Sequence, residues 1–218
     1  MALVPPGRCH DGGALAADGT DPFIPSSTDA WVQRSGFEID PRYPESAVLT
    51  FHPDTEHDRF WQVPNAPERR PYFIGSLLEC MGDWQACFAW SHMGSWPQSA
   101  VPERINDVVE LRILRGLGLP LGTNAVVEYS RDEYDSLLTL LFSTTIFGWS
   151  VGEDLYVVPD HRKNLLQTDH HGVIHISFRT EDSLNVCVEE MERRGFALPD
   201  EVPDATFKQP GWMKSGGG

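Results

Sequence analysis

The clearest succession of strand and helix in the chain is AVVEYSRDEYDSLLTLLF, which runs from Ala125 to Phe142. Residues 125–129 are rich in valine and tyrosine, which predicts a strand. Ser130 and, three residues later, Glu133 form a capping-box pattern, in which a hydroxyl and a carboxylate satisfy free amides at the start of a helix. The leucines that follow recur at helical spacing. A strand that leads directly into a capped helix indicates a chain of mixed α and β structure.

Similar signals extend on both sides of this stretch. Short runs of β-branched and aromatic residues predict strands at 47–51, 60–63, 84–90, 155–158 and 173–178. Apolar residues at helical spacing predict helices at 72–81, 102–116 and 183–194. Between the last two predicted strands we expect a long polar connection. The predicted fold is α+β, a single domain whose twisted, mostly antiparallel or mixed sheet is packed by about four helices.

Two of these helices have a defined apolar stripe that is expected to face the core. In the helix at 102–116 the stripe consists of Ile105, Val108, Val109 and Ile113. In the last helix it consists of Leu184, Cys187, Val188 and Met191. Gly195 follows and is predicted to end this helix, because glycine reaches the left-handed conformation that closes many helices.

Composition divides the chain into three predicted segments. Residues 1–30 are rich in Gly, Pro, Asp and Ala and are predicted to form a mobile arm. Residues 31–208 are predicted to form the single globular α+β domain. Residues 209–218 end in Ser-Gly-Gly-Gly and are predicted to form a flexible tail. Such a run is typical of an engineered linker, and whether these glycines are native is left open.

Bulk composition restricts the compartment. The chain has 218 residues, of which 40% are hydrophobic, and this is enough for a self-sufficient core. No stretch approaches the roughly 20 continuous apolar residues of a membrane span, so we expect no membrane contact. The first residues lack the apolar segment of a secretory signal. A cytoplasmic location is therefore predicted.

The four cysteines occur at positions 9, 80, 87 and 187, without any Cys-x-x-Cys spacing. This spacing argues against a zinc knuckle and against a redox pair. Cys80 and Cys87 lie in apolar stretches, and an apolar environment raises the pKa of a thiol. We therefore expect free, unreactive thiols.

The net charge is −15, from 32 acidic and 17 basic residues. Binding to phosphate backbones requires basic side chains that release counterions, so nucleic acid is excluded as the expected partner. A surface of this sign attracts basic proteins instead.

Tryptophan is abundant, with seven residues, and two of them lie in segments rich in Pro and Gly, where exposure is expected. Aromatic anchors surrounded by carboxylates are typical of surfaces that capture basic proteins. The predicted partner-binding residues are Trp96, Glu189, Glu190, Glu192, Asp200, Glu201, Asp204 and Trp212.

Histidines and carboxylates form two clusters, at 52–58 and at 169–175. Imidazole titrates near neutral pH and also binds metals, so such clusters suit general acid–base or metal chemistry. The tripeptide at 169–171 resembles the Asp-His-His motif of DHH-type phosphoesterases, although their further Asp-containing motifs are absent here. The candidate catalytic residues are His57, Asp169 and His171, and the candidate metal ligands are His170 and His171.

Strand geometry limits the metal hypothesis. If 173–178 is a strand, His171 and His175 are roughly 13 Å apart at about 3.3 Å per residue. One ion needs its ligands at about 2 Å, so these two imidazoles cannot share it. We therefore expect polar residues at a strand entrance and no bound cofactor, unless the two clusters meet in space.

Three functions of different kinds remain, and the third of them is a structural subunit of a larger assembly. The chain lacks a nucleophile elbow and a phosphate-binding loop. Its acidic composition is similar to that of the immunity proteins of bacterial toxin systems, and this favours an immunity- or inhibitor-type protein that neutralises a basic partner. The alternative is a metal-dependent hydrolase built from His52, His57, Asp169, His170 and His171. The oligomeric state is left open.

Overall fold

The computed structural model describes residues 8–10, 37–39, 49–51, 57–91, 96, 105–122, 126–147, 155–169 and 172–198. The helices in these ranges are α1 (Arg70–Cys80), α2 (Ile105–Gly116), α3 (Tyr134–Phe147) and α4 (Glu181–Arg193). The strands are β1 (Arg8–His10), β2 (Phe37–Ile39), β3 (Leu49–Phe51), β4 (His57–Gln62), β5 (Ala86–Ser91), β6 (Val126–Ser130), β7 (Leu155–Pro159), β8 (Asn164–Asp169) and β9 (Val173–Phe178).

Seven of these strands form one sheet in the order β1-β6-β5-β7-β8-β9-β4, and β2 pairs with β3. Every neighbouring pair is antiparallel. The fold is therefore α+β with a large antiparallel sheet, as the sequence predicts. The proposed boundaries at 30 and 208 lie outside the described residues. Within the described ranges, no helix combines the length and the apolar character needed to cross a bilayer.

One face of the sheet and the inner sides of the four helices form a common core. Strand register places alternate residues of neighbouring strands on this face. From the β4 edge to β6 they include Trp61, Ile174, Leu166, Val157, Ala89 and Val127. Helix α1 contacts α3 and α4, and α4 contacts β4 and β9. These contacts place α1 and α4 side by side over the β4–β9 side of the sheet.

Local signals account for the ends of two helices. The carboxylate of Glu133 accepts hydrogen bonds from the amide and the hydroxyl of Ser130, at 2.9 and 2.8 Å, so the predicted capping residues do meet. A short 3₁₀ turn, Arg131–Glu133, then leads into α3. At the other end of the chain, Gly195 adopts a φ of +82° directly after α4. The predicted helix stop is confirmed.

Strand β8 lies in the region where the sequence predicts a polar connection. Leu165 and Leu166 are adjacent, and both are buried because opposite faces of the sheet are covered at this point. A strand buried on both faces does not show the alternation of apolar and polar residues that identifies a half-exposed strand. The predicted connection was therefore wrong, and β7, β8 and β9 form a continuous meander.

The predicted stripe of α2 was also wrong. Ile105 is 71% exposed and Val109 is 38% exposed, whereas Leu111 and Leu114 are buried. Glu110 is buried as well, in spite of its charge. The helix is rotated relative to its most apolar stripe, because α2 contacts α3 rather than lying flat on the sheet.

Two substitutions in α2 test this rotation. Leu114→Ala leaves a cavity in the core and is expected to lower the free energy of unfolding by about 2–5 kcal/mol. Ile105→Ala, the matched control, removes exposed carbon atoms and is expected to change it by less than about 0.5 kcal/mol. Chemical denaturation measures both values. If both variants lost the same free energy of unfolding, the observed orientation of α2 would be contradicted.

Candidate functional site

The Asp-His-His tripeptide lies at the turn that joins β8 to β9. Asp169 ends β8 and pairs with Val173, the first residue of β9. The amide of Gly172 donates a hydrogen bond of 3.0 Å to the carbonyl oxygen of Asp169. Gly172 has a φ of +83°, a conformation that favours glycine. His170 and His171 lie outside the described residues, so the metal ligands predicted there stay a prediction.

His57 lies far from Asp169. It is the first residue of β4 and pairs with Phe178 at the end of β9, whereas Asp169 pairs with Val173 at the start of β9. The two ends are separated by the length of β9, which is roughly 17 Å at about 3.3 Å per residue. The two side chains also lie on opposite faces of the sheet, since pairing residues share a face. A single site that contains both His57 and Asp169 is therefore ruled out by the register.

The structure instead brings Asp169 next to His175. Their side chains are 3.9 Å apart, between the carboxylate and Nε2, and the imidazole ring lies 5.8 Å from the ring of Phe60. Asp169 pairs with Val173, and His175 lies two residues further along β9, so the Asp169 and His175 side chains lie on the same face of the sheet. This proximity depends on the strand register, which no local sequence pattern specifies.

Metal chemistry finds little support in this part of the chain. The described residues contain no group of three or more His, Cys, Asp or Glu side chains arranged to hold an ion. His52 lies outside the described residues. The carboxylate–imidazole pair at Asp169 and His175 supplies two ligands of the kind that zinc uses, fewer than the usual three or four.

A pocket of about 530 Å³ lies between the end of α1 and the adjoining side of α4. Carboxylates, thiols and one apolar side chain line it, among them Glu79, Cys80, Val186, Cys187, Glu189 and Glu190. The last residues of α1 and the segment of α4 from Val186 to Arg193 thus face the same open space. No local sequence pattern indicates this pocket, because its two walls are about a hundred residues apart in the chain.

Arg194 connects the two walls. Its guanidinium lies 2.6 Å from Glu79 on α1 and 2.6 Å from Glu190 on α4. It also donates a hydrogen bond of 3.2 Å to the hydroxyl of Ser76. Arg193 binds Glu190 through both Nε and Nη2, at 2.8 and 2.6 Å. These bonds to Arg193 and then to Arg194 lower the pKa of Glu190 from its ordinary 4.5 to about 2.

Two thiols meet at the base of the pocket. The thiol of Cys80 donates a hydrogen bond of 3.9 Å to the carbonyl oxygen of Cys187. Cys80 also accepts a hydrogen bond from the Cys187 thiol. The hydrogen bond from Cys187 lowers the pKa of Cys80; burial opposes this effect, and Arg194 adds to it. The pKa of Cys187 is raised, because it is the donor in this hydrogen bond and because it is buried.

The expectation that apolar surroundings raise the pKa was wrong for Cys80, because the hydrogen bond from Cys187 lowers it. Cys87 behaves as predicted, since burial raises the pKa of its thiol well above the usual value. Cys80 differs because it ends α1 beside Arg194 and the pocket rather than in the centre of the core. Cys80, Cys87 and Cys187 are free thiols, as predicted. The sequence spacing gives no sign that Cys80 and Cys187 lie together, because tertiary contact joins them.

The predicted partner-binding residues fall into three groups. Trp96 is only 2% exposed and belongs to the core, so the expectation that it lies at the surface was wrong. Glu189 and Glu192 are exposed on α4, while Glu190 is held by the two arginines. The remaining residues, Asp200, Glu201, Asp204 and Trp212, lie outside the described residues.

Comparisons with known proteins provide no relative: no protein-family model matches the chain, and neither does a curated protein or a solved structure. The features of the chain that bear on function are therefore the pocket, the thiols and the charges of α4.

The ion pairs of Glu190 predict how stability changes with pH. The pKa of Glu190 is lower in the folded chain than its ordinary 4.5, so the folded state favours the carboxylate. Its contribution is complete above pH 4.5 and is lost as the pH falls towards about 2. Glu190→Gln is therefore expected to lower the denaturation midpoint at pH 7 and to match the wild type near pH 2.

Glu192→Gln is the control for this experiment, because within the described residues Glu192 has no ion pair. Its midpoint is expected to follow the wild type across the same pH range. If Glu190→Gln lowered the denaturation midpoint by the same amount at pH 7 and at pH 2, the change in side-chain shape, not the loss of charge, would account for the lower stability.

Proposed function

We propose that the chain is a protein-binding module of immunity or inhibitor type, and that α4 forms the surface that binds a basic partner. The single observation that carries this proposal is the composition and exposure of that helix. Among residues 181–193 there are five carboxylates and one guanidinium. The helix thus concentrates the acidic excess of a chain whose net charge is −15.

The carboxylates of α4 divide into a paired and an unpaired set. Glu190 is neutralised by Arg193 and Arg194. Within the described part of the chain, no ion pair reaches the exposed carboxylates, which are Glu181, Asp182, Glu189 and Glu192. Arg193 stands four residues after Glu189, at a spacing suited to an ion pair, yet it binds Glu190 instead. The outward side of α4 therefore keeps an unbalanced negative charge.

An apolar residue lies among these charges. Val186 is 67% exposed and borders the pocket. On a helix it neighbours Asp182 and Glu189, which are four residues before and three residues after it. An exposed apolar side chain with a pocket beside it and carboxylates around it suits a partner segment that combines lysine or arginine with an apolar contact.

Intramolecular stability does not explain this arrangement. Glu189 and Glu192 are three residues apart on α4, so their charges repel each other in the isolated chain. A cationic partner that lies across them would convert this repulsion into attraction. Long-range attraction would accelerate the encounter, while Val186 and the pocket would contribute to the lifetime of the complex.

Selection from a displayed peptide library tests the proposal. We expect the full chain to enrich peptides that combine several Lys or Arg residues with an apolar residue. Glu189→Lys with Glu192→Lys is expected to reduce the association rate of a selected peptide at least about tenfold at low salt, and less at high salt, because salt screens the attraction. Surface plasmon resonance measures the rates.

The matched control carries Asp58→Lys and Asp135→Lys, two exposed carboxylates on β4 and α3. It changes the net charge by the same amount but leaves α4 intact, so its association rate is expected to stay within about threefold of the wild type, as for charges remote from the contact surface. Equal losses in the two double variants would show that only net charge matters, and the assignment to α4 would then be rejected. Enrichment of peptides without basic residues would reject the proposal as a whole.

A further inference from the structure

The two thiols in the pocket differ in accessibility in a way that assigns them separate roles. Cys80 is partly exposed and lines the pocket, at the last position of α1. Cys187 is 1% exposed and lies on the core side of α4. A small reagent that enters the pocket therefore has readier access to Cys80 than to Cys187, whose side chain is almost fully buried.

We propose that Cys80 and Cys187 form a reactive dithiol, in which hydrogen peroxide or another small hydroperoxide oxidises Cys80 and Cys187 then closes a disulfide between α1 and α4. The inference is independent of the binding surface proposed above, because it requires the pocket and the two thiols but no partner protein.

Three observations support the first step. The reactive form of a cysteine is the thiolate, and a neighbouring donor and a cation both favour it. The Cys187 thiol is the donor and Arg194 is the cation beside Cys80; burial and the carboxylates of Glu190 and Glu79 oppose these two, but the net effect is a lowered pKa of Cys80. Arg194 is itself held by Glu79 and Glu190, so its guanidinium stays at the pocket wall. A pocket of about 530 Å³ admits a molecule as small as a hydroperoxide.

The chemistry balances without any further reactant. The Cys80 thiolate attacks one oxygen of hydrogen peroxide, the O–O bond breaks, and hydroxide leaves while a sulfenic acid forms. Hydroxide takes up the proton that Cys80 released when it ionised, which gives water. The Cys187 sulfur then attacks the sulfenic sulfur, the S–O bond breaks, and a second water leaves as the disulfide forms. The two thiols lose two electrons, and these reduce one peroxide to two waters.

Cys87 is a thiol outside the pocket with which the pair can be compared. It also carries a free thiol, but it is fully buried and burial raises its pKa. Among the cysteines whose side chains are described, Cys80 and Cys187 line the pocket, whereas Cys87 does not. Cys87 is therefore the internal control for every measurement on the pair.

Peroxide treatment of the folded, full-length chain, followed by peptide mapping, tests the proposal. We expect a peptide that links Cys80 to Cys187, while Cys87 stays reduced. In the Cys187→Ser variant the disulfide cannot form, and dimedone is expected to label Cys80 as the sulfenic acid. In Cys80→Ser no dimedone adduct is expected at Cys187. Recovery of Cys80 and Cys187 as free thiols, with no linked peptide, would overturn the proposal.

The rate of alkylation by iodoacetamide provides a second readout that needs no oxidant. In the wild type we expect Cys80 to react at least about tenfold faster than Cys87 at pH 7, since only the thiolate reacts. Cys187→Ala removes the donor and is expected to move the pH profile of Cys80 upward, whereas Cys187→Ser retains a hydroxyl donor and is expected to preserve it. Identical profiles in all three proteins would contradict the role assigned to Cys187.

The two proposals can fail separately. A loss of peptide binding after charge reversal on α4 would leave the oxidation and alkylation results unchanged.

Discussion

Arg194 is the residue on which the pocket depends. A single guanidinium reaches Glu79 at the end of α1 and Glu190 on α4, and it also bonds to Ser76 within α1. Its side chain is only 17% exposed, so these charges interact with less screening than a pair in open solvent. The contact joins the last turns of α1 to the end of α4.

The same contact determines the character of the acidic surface. Arg193 and Arg194 both bind Glu190, so the two cations at the end of α4 are used on one carboxylate. Glu189 and Glu192 are left exposed without an ion pair from the described residues. The negative charge available to a partner is therefore smaller than the count of acidic residues suggests, but it is concentrated on one side of one helix.

The histidine cluster illustrates how register decides between hypotheses that composition leaves open. His57 and Asp169 belong to the two ends of the β4–β9 pairing, and no rotation of side chains brings them together. The hairpin that contains Gly172 instead brings the side chains of Asp169 and His175 to 3.9 Å from each other. A carboxylate–imidazole contact on a sheet surface is by itself too small a set of groups for metal hydrolysis, because a metal site needs at least three ligands. The thiol pair and the acidic surface of α4 indicate more about function than the contact between Asp169 and His175 does.

The sequence by itself determined the elements whose signals are local. The capping residues Ser130 and Glu133, the stop at Gly195 and the α+β class follow from contacts within a few residues, and the structure confirms them. Only the tertiary structure decided the rotation of α2, the existence of β8, the burial of Trp96 and the meeting of Cys80 with Cys187. These depend on which surfaces cover one another. The last contact joins residues 107 positions apart, where no sequence spacing records proximity.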